Sequence, residues 1–271
     1  MDLYARANKR GGAWMDECMG RKRRGNETQI PVAYLVCNFS PPTDGQPALL
    51  THDEVTTLFH EFGHCLHHLL TKVDDLGVAG INGVAWDAVE LPSQIMENWC
   101  WEREALDLIS GHYQSGEAVP DELFGKMTAA KNFQTGMQFV RQLEFAVFDM
   151  RLYGEFDPDG DVSVQTLLDA VRRDVAVVVP PPYNRFQNGF THIFSGGYAA
   201  GYYSYKWAEV LSADAYGKFE ETGVLNRTTG LEFLRAVLEQ GGVHEPIEMF
   251  VKFRGRPPKI DTLLRHSGLI T

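Results

Sequence analysis

The stretch TLFHEFGHCLHHLL, residues 57–70, sets four histidines and a glutamate inside what otherwise reads as an apolar helix. No other part of the chain limits its fold as strongly. Thr51 followed by Glu54 is a capping-box pair, so the helix should begin there with its first free N–H groups satisfied. Val55, Leu58, Phe59, Phe62, Leu66 and Leu69 fall along one line of that helix and form the expected buried stripe. His60, His64 and His67 share a second face. A core histidine would sit on the apolar stripe, and a solvated face would carry Lys, Glu and Gln in place of imidazoles. Glycine in a helix interior costs about 1 kcal/mol relative to alanine, so at Gly63 the close approach of another backbone or of a bound molecule is expected.

The pattern H-E-x-x-H offers a zinc ion two imidazoles from one helical turn, with Glu61 beside them as a base for water. Taken alone it also fits a helix surface that is merely rich in histidine. A catalytic zinc needs a third protein ligand. The extended pattern H-E-x-x-H-x-x-G-x-x-H is excluded, because His67 and Leu70 stand where it requires glycine and histidine. A glutamate roughly 20 residues past the second histidine is excluded too, since Gly83 and Val84 are found there.

The next carboxylates are Asp87, Glu90 and Glu97, which with Gln94 share one face of an expected helix over 87–109. Its remaining positions include Val89, Leu91, Ile95, Met96, Trp99 and Trp101. A helix that apolar is buried, and buried carboxylates need partners or a metal. Glu90 is the expected third ligand, with Asp87 and Glu97 placed to accept N–H bonds from the ligating imidazoles. His67 is the rival ligand.

Composition sets the frame around this site. With 271 residues, 44% of them apolar, the chain can bury a sizeable core. Its net charge of −11 excludes a nucleic-acid footprint, and the run Arg21 to Arg24 reads as a solvated loop tip. Four widely spaced cysteines without C-x-x-C imply reduced thiols. Neither a signal peptide nor a membrane span is expected, which points to a cytoplasmic protein with no membrane partner. Residues 10–39 alternate like a hairpin around a charged turn, making 1–50 a strand-rich edge. From 51 to 271 the periodicity is helical, over 51–73, 87–109, 120–153, 162–178, 198–222 and 228–240. The glycines at 77, 80 and 83 and the prolines at 180–182 mark candidate active-site loops.

FHEFGHCLHH (59–68), GVAWDAVELPSQIMENWCWE (83–102), FTHIFSGGYAAGYYSYKWAEVL (190–211) and FRGRPPKIDTLLRHSG (253–268) together resemble the thimet oligopeptidase family of zinc peptidases, in its bacterial branch. The resemblance spans essentially the whole chain. It implies a mainly α, zincin-like catalytic domain with a small β hairpin or sheet near the amino terminus. It also implies one zinc per chain on His60, His64 and Glu90, with Glu61 as general base. Tyr205 would stabilise the oxyanion together with His192, while Tyr198, Tyr202, Gly196 and Gly197 would hold substrate. From the residues alone these tyrosines read as ordinary helix packing. The strand around Gly11 to Met15 would pair with an extended peptide. The implied activity is hydrolysis of internal bonds in short peptides; release of carboxy-terminal dipeptides and silent peptide binding are the alternatives.

Members of this family are considerably longer, with an amino-terminal helical half that closes a channel over the metal. The expectation here is a piece of such a protein or a short relative, with an exposed groove. An apolar face carrying Trp99 and Trp101 would then be free for self-association or for an amino-terminal partner.

Overall fold

The computed structural model describes residues 1–270. The amino-terminal edge is a three-stranded sheet of β1 (Asp2–Tyr4), β2 (Trp14–Met19) and β5 (Val32–Phe39), with β3 (Lys22–Arg24) and β4 (Glu27–Gln29) forming a second hairpin at its tip. β2 and β5 pair antiparallel as the alternation predicts, while β1, which was not expected, adds in parallel to the far edge of β5. The order β1-β5-β2 leaves one edge of β2 unpaired among the described residues. The basic tip is not simply solvated, because Arg21 and Arg23 both pair with Asp74 at 2.8 and 3.0 Å.

Among the described residues, everything after residue 50 is helical or loop. α1 (His52–Leu69) starts at Thr51 with the expected capping box. The stretch expected as one helix over 87–109 is broken into α2 (Trp86–Val89), α3 (Leu91–Glu97), a 3-10 turn at Asn98–Trp101 and α4 (Arg103–Ile109). Pro92 in the first turn of α3 has no N–H to continue a helix, and the Ser93 hydroxyl bonds the Glu90 carbonyl at 2.8 Å. Helix 120–153 likewise divides into α5 (Asp121–Ala130) and α6 (Thr135–Gly154) at Gln134, whose φ is +61°. There follow α7 (Val164–Val175), a 3-10 turn at Phe186–Gly189, α8 (Thr191–Phe194), α9 (Ser204–Thr222) and α10 (Arg227–Phe233) running into a π turn. α11 (Pro246–Arg254) and α12 (Asp261–His266) were not expected, although Pro246 at the start and Gly255 at the end are helix boundary signals. No described helix is long and apolar enough to cross a membrane.

α9 is the centre of the main core, where Leu211, Tyr216 and Phe219 meet Leu91 and Ile95 of α3 and Phe250 and Phe253 of α11. Trp99 packs against Tyr216 and Phe219 and donates its Nε1–H to the Val224 carbonyl at 2.7 Å. Trp101 is half-buried beside His52 and Lys131. These two tryptophans therefore do not form an uncovered face. A second core joins α6 and α7 to the segment 186–202. The sheet packs on α1 through Leu35, Cys37, Phe39 and Cys65. Cys37, Cys65 and Cys100 are buried free thiols, whereas Cys18 is exposed.

α1 departs from its expected orientation. Phe62 and Leu69 are 40% and 38% exposed, while Glu61, His64, Cys65, His67 and His68 are buried. The helix is flanked by the sheet on one side and α3 on the other, so its polar face is inside and part of its apolar stripe is not. Gly63 makes the second contact possible: a Cβ there would lie 2.2 Å from the Pro92 carbonyl oxygen and 2.6 Å from the Ser93 Cα.

Gly63→Ala should therefore lower stability by about 1–3 kcal/mol through overpacking, although alanine is the better helix former. Gly125→Ala on α5, with nothing within 4 Å of the added Cβ, should raise it by up to about 1 kcal/mol. Urea midpoints of the two variants read this directly, and stabilisation by both would contradict the close approach.

Candidate metal centre and cleft

The break at Glu90 is what aims its carboxylate at α1. Glu90 joins α2 to α3 at φ −84° and ψ −6° and is 2% exposed. Its Oε2 lies 3.2 Å from His60 Nε2 and 3.1 Å from His64 Nε2. One ligand atom from each of the three residues falls within 4.8 Å of the other two. Three further groups orient the set. His60 Nδ1–H donates to Glu97 at 2.6 Å, which leaves its Nε2 free for a cation. The Ser93 hydroxyl donates to Glu90 Oε2 at 2.9 Å, and the Tyr198 hydroxyl to Oε1 at 2.5 Å.

The electrostatics of the cluster favour positive charge. Burial works against a charged His60, yet its bonds to Glu90 and Glu97 outweigh that and push it up to about 10. Burial would raise Glu90, but His60 and His64 hold its carboxyl well below the usual range. A divalent cation meets the same demand, and two imidazole nitrogens with one carboxylate are a donor set that fits it. Glu61, 6% exposed, stands beside the cluster. Burial raises its carboxyl, against the pull of His60 and His64.

His67 does not join the set. It is 1% exposed, neither ring nitrogen has a partner, and burial pushes its imidazole down to about 3. Asp87 makes no bond to an imidazole: its Oδ1 and the Nδ1 of His64 are both buried without a partner.

The cluster forms the floor of a cleft of about 1020 Å³. One wall is Arg10 to Asp16, including the edge of β2; the others are the loop 81–84, Trp86, the segment 191–198 and Tyr205. The Tyr198 and Tyr205 rings stack at 4.8 Å and 22°, and burial raises both phenols, so each keeps its proton to donate. His192 lines the cleft with its ring 6.2 Å from Tyr205. Gly196 also lines it, and a Cβ there would lie 2.9 Å from the His192 Cα. Gly197 at φ +88° instead makes room for Trp86, 3.2 Å from its would-be Cβ. Tyr202 faces away from the cleft: it is buried among Phe145 and Phe190, and its hydroxyl donates to Gln142 at 3.0 Å. Ser93 stands in the quoted motif but had no role from spacing alone, because its hydroxyl acts only once α3 has started at Leu91.

A helical domain that presents H-E-x-x-H to a buried carboxylate on the floor of a cleft has the architecture of a peptidase built around a metal centre. The profile of Peptidase family M3 matches residues 1–269, and the chain belongs to this family. Oligopeptidase A of Salmonella typhimurium (strain LT2) is 59% identical over 270 residues, 99% of this chain and 40% of that protein. Dipeptidyl carboxypeptidase of Escherichia coli (strain K12) is 42% identical over 99% of this chain and 39% of its own length. The solved structure "PZ peptidase A with inhibitor 2" shares the fold, with a TM-score of 0.66 at 16% identity over 99% of this chain and 43% of that one. The chain thus spans about two fifths of the length of the curated relatives it matches.

Equilibrated with zinc, the chain should hold one ion. Glu90→Ala should abolish tight binding, and Glu97→Ala should weaken it by about 10–100-fold by freeing the His60 ring. Metal-buffered titration measures both. Retention of zinc by Glu90→Ala together with its loss in His67→Ala would reverse the ligand assignment.

Proposed function

We propose that this chain is the catalytic part of a zinc-dependent oligopeptidase that hydrolyses internal bonds of short peptides. The observation that carries the proposal is the convergence of His60, His64 and Glu90 on the floor of the cleft with Glu61 alongside. Zinc, if held by His60, His64 and Glu90, would supply Lewis acidity for the attack of water on the scissile carbonyl. Glu61, on the cleft floor, takes a proton from the attacking water and passes it to the leaving amine. Tyr205 donates its hydroxyl to the oxyanion that develops on the scissile carbonyl, with His192 on the same wall. Tyr198, fixed on Glu90, supports the Tyr205 ring from its stacked side. The unpaired edge of β2 suits an extended peptide, which can add to it as a strand. The four free cysteines suit the reducing cytoplasm, where we place the activity.

Similarity to dipeptidyl carboxypeptidase supports a second reading, release of carboxy-terminal dipeptides. Product analysis on an amino-blocked peptide separates the two. We also propose that apolar surface such as Val177 to Val179, each about two-thirds exposed, drives self-association or binding of an amino-terminal partner chain.

Glu61→Gln should keep zinc but lower turnover by orders of magnitude, since an amide cannot take the water proton. Tyr205→Phe should lower kcat by about 10²–10³ with little change in KM. An unchanged rate in peptide cleavage assays would remove Tyr205 from the reaction. Sedimentation of the chain, alone and mixed with the amino-terminal part of a relative, should show association; a tight monomer with full peptidase rates would oppose that proposal.

A further inference from the structure

Asp149 on α6 is a fully buried carboxylate to which the hydrolytic reaction gives no part. Its charge is met by backbone and not by a cation. The N–H of Ala200 donates to Oδ1 at 3.0 Å and the N–H of Tyr202 to Oδ2 at 2.9 Å. Two amides of one turn aimed at the same anion form a nest-like concavity, a conformation that uses a left-handed residue. Ala200 supplies it at φ +52°, a region that residues other than glycine seldom enter. An unbonded carboxylate could not remain fully buried, and Ala200 has no reason of its own to adopt that φ. Each accounts for the other.

The turn so fixed lies between the two tyrosines of the cleft. Within it the Gly201 N–H bonds the Tyr198 carbonyl at 2.9 Å, and the Ser204 N–H bonds the Gly201 carbonyl at 3.0 Å as α9 begins. This reversal brings Tyr198 and Tyr205, seven residues apart in the chain, into a stack at 4.8 Å. It also lets the Tyr198 hydroxyl reach Glu90. Gln142, two turns before Asp149 on the same face of α6, takes the Tyr202 hydroxyl and pins the turn a second time.

We propose that Asp149 is a positioning residue for the cleft: its carboxylate sets the 200–202 turn and thereby aims Tyr198 at Glu90 and Tyr205 at the reacting carbonyl. The inference rests, for Tyr205, on the hydrolytic role given above. Asp149 itself touches neither substrate nor metal.

Two readouts test it. In Asp149→Asn an amide N–H₂ opposes backbone N–H groups, so hydrogen exchange of amides 200–202 should quicken by about tenfold or more, while α1 and bound zinc per chain are unchanged. Asp149→Ser, in which water can take up the freed amides, is the second variant should the amide not fold. In a double-mutant cycle, Asp149→Asn should lower kcat by about 10–100-fold in the native background but by less than about threefold in Tyr205→Phe, because the carboxylate acts through that ring. A general loss of stability would instead lower both backgrounds alike, and that result would overturn the proposal, as would unchanged exchange at 200–202. Were Tyr205→Phe itself silent, the role of Tyr205 in hydrolysis would fall, and the exchange rates would still decide whether Asp149 fixes the turn.

Discussion

The backbone of α1 at Gly63 lies against the first turn of α3 so closely that any side chain there would collide with Pro92 and Ser93. This contact sets the distance between the helix that carries His60, Glu61 and His64 and the residue that faces them. Glu90 sits one position before α3 begins, and its Oε2 comes within 3.1–3.2 Å of both imidazoles only because the two backbones approach without a Cβ between them. A helix pair separated by ordinary side chains would be about 8–10 Å apart at the axes. The carboxylate would then need a longer reach and fewer fixed partners.

Around that contact the structure satisfies each polar group by a neighbour that is itself held. Ser93, inside the contact, holds Glu90; Glu97, two turns further along the same strip of chain, holds His60. On the opposite side Tyr198 holds the second oxygen of Glu90, and the turn that presents Tyr198 is bonded to Asp149 deep in α6. The centre is thus braced from two separate cores, one around α9 and α3 and one around α6 and α7. Rigid placement of this kind is what a buried cluster of carboxylates and imidazoles needs, because misplacing one partner leaves a charge without its match. Asp214 gives the carboxy-terminal tail a comparable anchor: it is fully buried, accepts from Arg256 and from the Lys259 N–H, and is held low by them despite burial.

Much of this was legible in the chain. The capping box at Thr51, the strand alternation over 10–39 and the spacing of His60, Glu61 and His64 are local patterns, and each depends on residues a few positions apart. Gly63 was legible as a place of close approach because glycine is costly in a helix without such a reason. Glu90 could be singled out by its apolar surroundings. The buried side of α1 was not legible, since Phe62 and Leu69 belong to the apolar stripe yet face out. Amphipathic periodicity assumes one buried side, and α1 is packed on two. For Asp87, periodicity ran through Glu90 as if the helix were continuous, whereas the chain divides there into α2 and α3. Tyr202 was misjudged because a turn, unlike a helix, has no period from which to read direction.

By itself the sequence determined which short-range structures form and which residue types are available for chemistry: a capped helix with two imidazoles and a carboxylate on consecutive turns, a strand-rich edge, and a tyrosine-rich loop. These follow from local sterics and hydrogen bonding, which act over a few residues. Only the tertiary structure decided which carboxylate meets the imidazoles, which tyrosines face the cleft, and that a distant aspartate fixes the turn between them. Glu90 reaches His60 across 30 positions of chain, and Asp149 reaches Ala200 across 51. Such pairings are selected by the packing of whole helices, and no local pattern carries that information.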